Sequence, residues 1–582
     1  MRNAEVAQLL DRIARLMEIK GENRFKFQSF ADASRRIENW PEPIEALHAE
    51  GRLREIPGVG ISLARCISEY LEAGHSVLLE ELIAQFPLAL LDLEEISGVG
   101  PKLAAVLYHE LGVSDLDSLE QAILDGRLQR LPRLGEKSAR HILQGIQTVR
   151  QRSGRTPLGI ARPLAESILV HLQANPAVQK AEICGSLRRW KETIGDLDVL
   201  VAADPKRAEE VMEIFTHLPE VRQVLLCGPT KSSVRILHDL QVDLRVVSPQ
   251  SFGAALQYFT GSQAHNVRLR ELAIRAGLKL NEYGLFRLLD DQSIAGESED
   301  EVYAALGLPW IPPELREDQG EVEAAQGGRL PKLIEQADLV SDLHLHSDWS
   351  DGLDSVQAMV EKARSMGYKY LAFTDHGEVL GVAHGLSLER FRAQRTALEA
   401  LSQETGFPIL CGLEANILAD GSLDFPSSQM DAFDWVVAGI HSGLASSGGT
   451  ANDRLSKAMA SGKVDLISHP SGRLIGEREP YALDRAALFQ AASLTRTALE
   501  INSHPKRLDL RDIDARQAKE AYHLPLAICS DAHNTGELNH MRYGVAVARR
   551  AWLTKDDVLN ARPLETLMEW VAWRRQAQET AS

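Results

Sequence analysis

The sequence predicts a multidomain fold: an α-helical front, an α+β middle and a parallel α/β barrel at the end. Three observations predict it. A short glycine-turn pattern recurs three times in the first 150 residues, two aspartates alternate within a strand-like run at 196–202, and from residue 342 onward apolar runs repeatedly end in His, Asp or Glu. At 582 residues the chain is too long for one core.

Composition sets the outer bounds. With 44% apolar and 25% charged residues the chain reads as globular throughout. Val6, Leu9, Leu10, Ile13 and Leu16 recur at helical spacing with charges between them, which predicts an amphipathic helix and not a secretion signal. No apolar run reaches the ~18 residues a bilayer requires, so the expectation is a cytoplasmic protein with no membrane partner. The five cysteines, Cys66, Cys184, Cys227, Cys411 and Cys529, are scattered and never form CxxC, which predicts small core residues in place of disulfides or thiolate zinc. A net charge of −18 does not exclude nucleic acid, because carboxylates that bind metal stop repelling phosphate once the metal is in place.

The front repeats one small word. Ile56-Pro57-Gly58-Val59-Gly60 precedes Ala64, Ile96-Ser97-Gly98-Val99-Gly100 precedes Ala104, and Leu131-Pro132-Arg133-Leu134-Gly135 precedes Ala139. Each has an apolar residue, a tight turn and a helix start, where free backbone N–H groups can meet a phosphate. The pattern resembles the helix-hairpin-helix motif. The resemblance implies backbone contacts to DNA from Gly58, Gly60, Gly98 and Gly100, and Arg133 departs from it in the third copy.

Residues 184–201 read CGSLRRWKETIGDLDVLV. Side chains at i and i+2 of a strand share a face, so Asp196 and Asp198 converge and need cations. Asp243, from the run Val242–Val247, offers a third carboxylate, and three oxygen donors suit a pair of Mg²⁺ ions. Gly185-Ser186 ahead of D-x-D resembles the nucleotidyltransferase superfamily. Tyr258-Phe259-Thr260-Gly261-Ser262, then Asn266 and Arg270, then Asn281-Glu282-Tyr283, resemble family X DNA polymerases over residues 1–310. That resemblance implies a palm in which Asp196, Asp198 and Asp243 are catalytic and hold two Mg²⁺ or Mn²⁺ ions. It implies that Gly185, Ser186 and Arg189 grip the triphosphate, that Tyr258, Phe259 and Gly261 lie under the sugar, and that Asn266 and Arg270 touch the minor groove. Lys26 matches a lysine at the 5′-phosphate side of a gap. The lyase nucleophile of some family members falls here on Cys66, which argues against a Schiff-base lyase.

His344 and His346, in DLHLHSDWSDG, also alternate and can share a metal. Asp351, His376, Glu414, His441, His469, Asp531 and His533 follow in local words that resemble the PHP (polymerase and histidinol phosphatase) family across 336–582. The resemblance implies a distorted α/β barrel with up to three ions. His344, His346, Glu414 and Asp531 would hold one, Glu414, His441 and His469 a second, and Asp351, His376 and His533 a third. Imidazole with carboxylate suits Mn²⁺ or Zn²⁺, and the chemistry is phosphoester hydrolysis. His504 lies outside that pattern.

The expected layout is a helix-hairpin-helix domain at 1–82, a second DNA-binding helical subdomain at 83–153 and a nucleotidyltransferase palm at 154–248. A nucleotide- and template-binding subdomain at 249–315, a linker at 316–335 and a PHP domain at 336–582 complete it. The expected function is a monomeric DNA repair enzyme that fills short gaps with deoxynucleoside triphosphates and trims 3′-to-5′ or cuts at abasic sites. The alternative is a small-molecule phosphatase whose front half only tethers DNA.

Overall fold

The computed structural model describes residues 3–38, 40, 42–56, 58–96, 99–131, 134–151, 155–380, 383–442, 450–475, 478 and 480–579. The chain divides into two compact units, Met1–Arg155 and Thr156–Ser582.

The first unit is all helix. Helix Asn3–Lys20 buries Val6, Leu10, Ile13 and Leu16 completely, as its 3.6-residue spacing predicts. The three glycine words share one geometry. The amides of Val59, Val99 and Leu134 donate to the carbonyls of Ile56, Ile96 and Leu131 at 3.0, 2.9 and 3.2 Å. Helices Ile61–Ala73, Pro101–Leu111 and Glu136–Gln151 start directly afterwards. The turn therefore persists in the third copy; Pro57, Ser97, Gly98, Pro132 and Arg133 themselves lie outside the described residues.

The second unit begins with a five-stranded sheet ordered Lys180–Ile183, Asp196–Ala202, Gln241–Val247, Lys231–Arg235, Gln223–Cys227. Helix Leu158–Gln173 packs its apolar face on this sheet. A three-stranded sheet, helices Phe252–Thr260 and Gln263–Arg275, and helix Glu299–Ala305 follow.

Seven parallel strands then run in sequence order from Ser341–Leu345 to Leu526–Cys529. Beyond the last strand, Asp531 N donates to His344 O at 3.0 Å and His346 N donates to Ala532 O at 2.9 Å, so the first and last strand ends meet and nearly close a barrel. All strands are parallel, so their C-terminal ends face one side. One continuous apolar core runs from the palm sheet into the barrel. Among the described residues no helix is long and apolar enough to cross a membrane.

Two expectations need correction. The stretch 316–335, read as a linker from its acid and glycine content, is packed: Val322, Ala325 and Leu333 join the core around Tyr303, and Arg316 and Glu321 are fully buried. Two of its acids are buried and paired, with Glu321 Oε1 2.6 Å from His265 Nδ1 and Arg189 Nε donating to Glu317 at 3.0 Å, while Glu323 and Glu335 stay exposed. Of the cysteines, four are buried but Cys227 is exposed, because its strand is the sheet's edge.

The final helix, Leu564–Glu579, is clamped by a buried charge. Asp465 accepts from Arg574 Nη2 at 2.5 Å, Arg575 Nη2 at 2.6 Å and Val436 N at 2.9 Å. Removing it strands two guanidinium groups. Asp465→Ala is therefore expected to lower the stability of the second unit by about 3–5 kcal/mol in denaturant unfolding, and a loss below about 1 kcal/mol would contradict this clamp.

Candidate active sites

The palm carboxylates converge because of register. Asp198 lies directly opposite Asp243 in the parallel pairing of Asp196–Ala202 with Gln241–Val247, and Asp196 stands two residues before Asp198 on the same face. Burial first, then the charges of Asp196 and Asp243, push Asp198 up to about 7. Asp243 moves the other way. Burial opposes its charge, but Lys231 Nζ at 2.6 Å and the Gln241 amide at 2.9 Å outweigh it and hold the carboxyl below its usual range. Lys231 was not legible as a partner, since its role depends on which strand lies beside Asp243.

Gly185 sits at φ +61°, and a Cβ there would fall 2.5 Å from Asp198 Oδ2. The glycine is what admits the carboxylate. Ser186 is half-buried in the same turn. The adjacent arginines are both engaged: Arg188 makes a two-pronged pair with Glu299 at 2.8 Å, while Arg189 donates to Glu317 at 3.0 Å and to Thr260 O at 2.5 Å.

Tyr258 and Phe259 pack edge to face at 5.1 Å, and the Arg245 guanidinium covers the Phe259 ring at 4.5 Å. Gly261 is buried with φ +67°. Asn266 is turned inward: its amide donates to Tyr258 O at 2.7 Å and its oxygen accepts from Gln257 at 2.7 Å. Arg270 is exposed one turn further along that helix.

In the helical unit, Gly60 and Gly100 cap their helices and are exposed, and Gly58 has φ +86°. Lys26 is exposed in a surface ion pair with Glu22 at 3.4 Å. Gly98 lies outside the described residues. Cys66 is buried with Sγ 3.4 Å from Ser76 Oγ, and burial pushes its thiol pKa up, so it is no exposed nucleophile.

The barrel brings all nine ligand-type residues to one end. His344 Nε2 and His346 Nε2 lie 3.2 and 3.5 Å from Glu414 Oε2, and 3.5 and 3.3 Å from Asp531 Oδ1. His441 and His469 approach Glu414 Oε1 at 3.1 and 3.3 Å. Asp351 Oδ2 stands 3.7 Å from His376 and 3.5 Å from His533. His376 Nδ1 is also 3.4 Å from Glu414 Oε2, so the three groups merge into one cluster.

Charge in this cluster is finely divided. Burial opposes the Glu414 charge, but His344, His441 and His376 hold its carboxyl well below the usual range. Burial drives His376 down to about 3 and His469 to about 4, leaving both neutral and able to donate a lone pair. His533 goes up to about 9 because Asp351 and Asp531 outweigh burial.

Supporting groups escaped the sequence reading. Buried Glu500 Oε1 lies 2.7 Å from His344 Nδ1, Asn416 Oδ1 2.8 Å from His441 Nδ1, and the Asp531 carbonyl 2.8 Å from His533 Nδ1. Such partners fix a histidine's tautomer. Asp375, beside His376, is no ligand: it accepts from Ser347 N, Ser347 Oγ and Ser350 Oγ and so shapes the loop that carries Asp351. His504 pairs with His540, ring centroids 5.3 Å apart.

The residues fit metal ions. His344 Nε2 and His346 Nε2 are 3.3 Å apart and face the same carboxylates, and the buried Nδ1 atoms of His346, His376 and His469 have no hydrogen-bond partner among the described residues. Three carboxylates in the palm and three in the barrel cluster make both sites cation sites.

Comparison with known proteins is consistent along the chain. Family models match for a helix-hairpin-helix domain at residues 1–76, a SAM-like helix-hairpin-helix tandem at 90–148, a DNA polymerase beta thumb at 255–317 and a PHP domain at 342–528. The DNA polymerase/3'-5' exonuclease PolX of Bacillus subtilis is 39% identical over 568 residues, 97% of this chain and 98% of that protein. The DNA polymerase lambda of Rattus norvegicus is 25% identical over 54% of this chain and 56% of its own length. A probable phosphatase of Shewanella sediminis is 28% identical over 40% of this chain and 94% of its own length.

Two outcomes are expected from the geometry. Gly185→Ala forces a Cβ into Asp198 and is expected to lower palm activity at least about 100-fold, while unfolding curves stay near wild type. An unchanged rate would show that the carboxylate can stand elsewhere. Because Asp198 holds its proton up to about 7, a metal must displace that proton; affinity at the palm is expected to fall about tenfold per pH unit below 7 and level off above it. Calorimetric Mg²⁺ titration checks this, and a flat profile from pH 6 to 8 would contradict it.

Proposed function

The chain belongs to the family X DNA polymerases that carry a PHP domain, and from that membership we propose a DNA repair enzyme in which the palm extends a primer and the barrel trims it 3′-to-5′. The observation that carries this reading is the coexistence of two acid-lined centres on one chain, three carboxylates across adjacent palm strands and nine ligand-type residues at the barrel mouth. A relative that spans both halves supports it over a small-molecule phosphatase, since the phosphatase relatives span 40% and 39% of the chain.

In the palm, Asp196 and Asp198 would hold two Mg²⁺ or Mn²⁺ ions and Asp243 would complete one of them. In the barrel, His344, His346, Glu414 and Asp531, then Glu414, His441 and His469, then Asp351, His376 and His533, would hold up to three Mn²⁺ or Zn²⁺ ions. Bound ions supply charge neutralisation on phosphate oxygens and activation of the attacking oxygen.

The remaining work falls to the chain. Ser186 and Arg189 grip the triphosphate of the incoming deoxynucleotide from the turn that Gly185 permits. Tyr258, Phe259 and Gly261 shape the floor under its sugar. Arg270, exposed, meets the minor groove; Asn266, engaged inward, sets the Tyr258 backbone and reaches the groove only by exchanging those bonds. The turns at Gly58, Gly60, Gly98 and Gly100 hold the DNA backbone without reading sequence, and Lys26 exchanges Glu22 for a 5′-phosphate. Buried Cys66 offers no Schiff-base chemistry, so gap binding proceeds without it. The enzyme acts as a monomer on gapped or primer–template DNA.

A 5′-labelled primer in a short gap tests both halves. Asp198→Ala is expected to lose extension by at least about 100-fold and keep trimming, and His346→Ala to do the reverse. A primer that wild type never lengthens refutes the palm assignment; one that it never shortens moves the barrel's substrate to small phosphoesters.

A further inference from the structure

We infer that Arg550, carried by the barrel, is a positioning residue for the polymerase reaction: it sets Arg189 in the orientation that receives the incoming triphosphate. The inference rests on the reading of Arg189 as a triphosphate ligand.

Arg550 is the last residue of helix Met541–Arg550 and is nearly fully buried. Its donors reach three elements. Nε donates to Asp512 at 2.7 Å in the barrel, and Nη1 donates both to the Arg189 carbonyl at 2.6 Å in the palm and to Glu317 Oε1 at 3.0 Å in the stretch after Arg316. That same Glu317 oxygen accepts Arg189 Nε at 3.0 Å. One carboxylate oxygen thus lies between two guanidinium groups. Thr260 O takes Arg189 Nη1 at 2.5 Å, so the plane of Arg189 is fixed on two sides and Nη2 has no hydrogen-bond partner among the described residues.

The charge balance tells what Arg550 does beyond filling space. Around the turn, Arg188, Arg189, Lys191, Arg316 and Arg550 pair with Glu299, Glu317 and Asp512 among the described residues, and Glu314, which also lies near Arg316, is engaged by a further cation, Arg549. An excess of buried cation is unfavourable unless an anion completes it, and a triphosphate is such an anion. Without Arg550, Glu317 would be shared only with the more distant Lys191 and would neutralise more of the Arg189 charge. With Arg550 sharing that oxygen, Arg189 stays aligned and keeps unspent positive potential for the ligand.

The test uses the full chain and two readouts, extension at varied deoxynucleotide concentration and trimming without deoxynucleotides. Arg550→Gln is expected to raise KM for the deoxynucleotide about 10-fold or more, with kcat changed less than about 3-fold and trimming unchanged. Arg550→Lys, which keeps charge but not the fork, is expected to fall between. Arg189→Gln is expected to raise KM, and the double variant to be no worse than Arg189→Gln alone, because Arg550 acts through Arg189. An unchanged KM in Arg550→Gln, or additive losses in the double variant, would overturn the inference while leaving Arg189 as a ligand. An unchanged KM in Arg189→Gln would overturn the ligand reading first and this inference with it. Should Arg550→Gln fail to fold, Glu317→Gln replaces it: a changed KM with trimming intact supports the inference, and an unchanged KM overturns it.

Discussion

Glu414 is a fully buried carboxylate at the end of strand Ile409–Asn416, and its two oxygens lie within 3.5 Å of five imidazoles, His344, His346, His376, His441 and His469. Desolvation makes a lone carboxylate there untenable, so the surrounding histidines and the ions they can hold are what permit the charge. The rest of the barrel follows from that requirement. Four strands and their loops have to deliver imidazoles, from residue 344 to residue 469, to the carboxylate on a fifth, and a parallel barrel does this because all its strand ends face one way. The closing bonds between His344 O and Asp531 N, and between Ala532 O and His346 N, bring Asp531 and His533 back to His344 and His346.

The palm meets the same constraint with less machinery. Two adjacent parallel strands suffice, since Asp198 and Asp243 are register partners, and Lys231 holds the charge of Asp243 where the barrel uses imidazoles. The difference is one of ligand chemistry. Oxygen-only donors suit ions that keep water and bind phosphate. A hydrolytic centre works with a denser, nitrogen-rich cluster. The two centres share one apolar core and are bridged by arginines of a single barrel helix, with Arg542 on Glu166, Arg549 on Glu314 and Arg550 on Glu317.

Much of this was legible because metal and phosphate chemistry leaves local marks. DLHLHSD and GDLDVLV advertise alternating ligand-type side chains within one strand, and the glycine words advertise tight turns before helices. What the sequence hid are partners distant along the chain. Glu500 stands behind His344 across 156 positions, and Arg550 meets Arg189 across 361. No local pattern encodes such pairings. The stretch 316–335 misled for a related reason: acids read as solvent-facing when their partners cannot be seen, whereas Glu317 and Glu321 each meet a cation or imidazole from elsewhere.

The most direct test replaces Glu414 by glutamine and measures bound metal by mass spectrometry on the folded chain, beside the unmodified protein. The unmodified chain is expected to retain transition-metal ions and the Glu414→Gln chain to lose most of them, with the palm's Mg²⁺ titration unchanged. Equal metal content in the two proteins would mean that the histidines hold their ions without the buried carboxylate, and the central role given to Glu414 would be wrong.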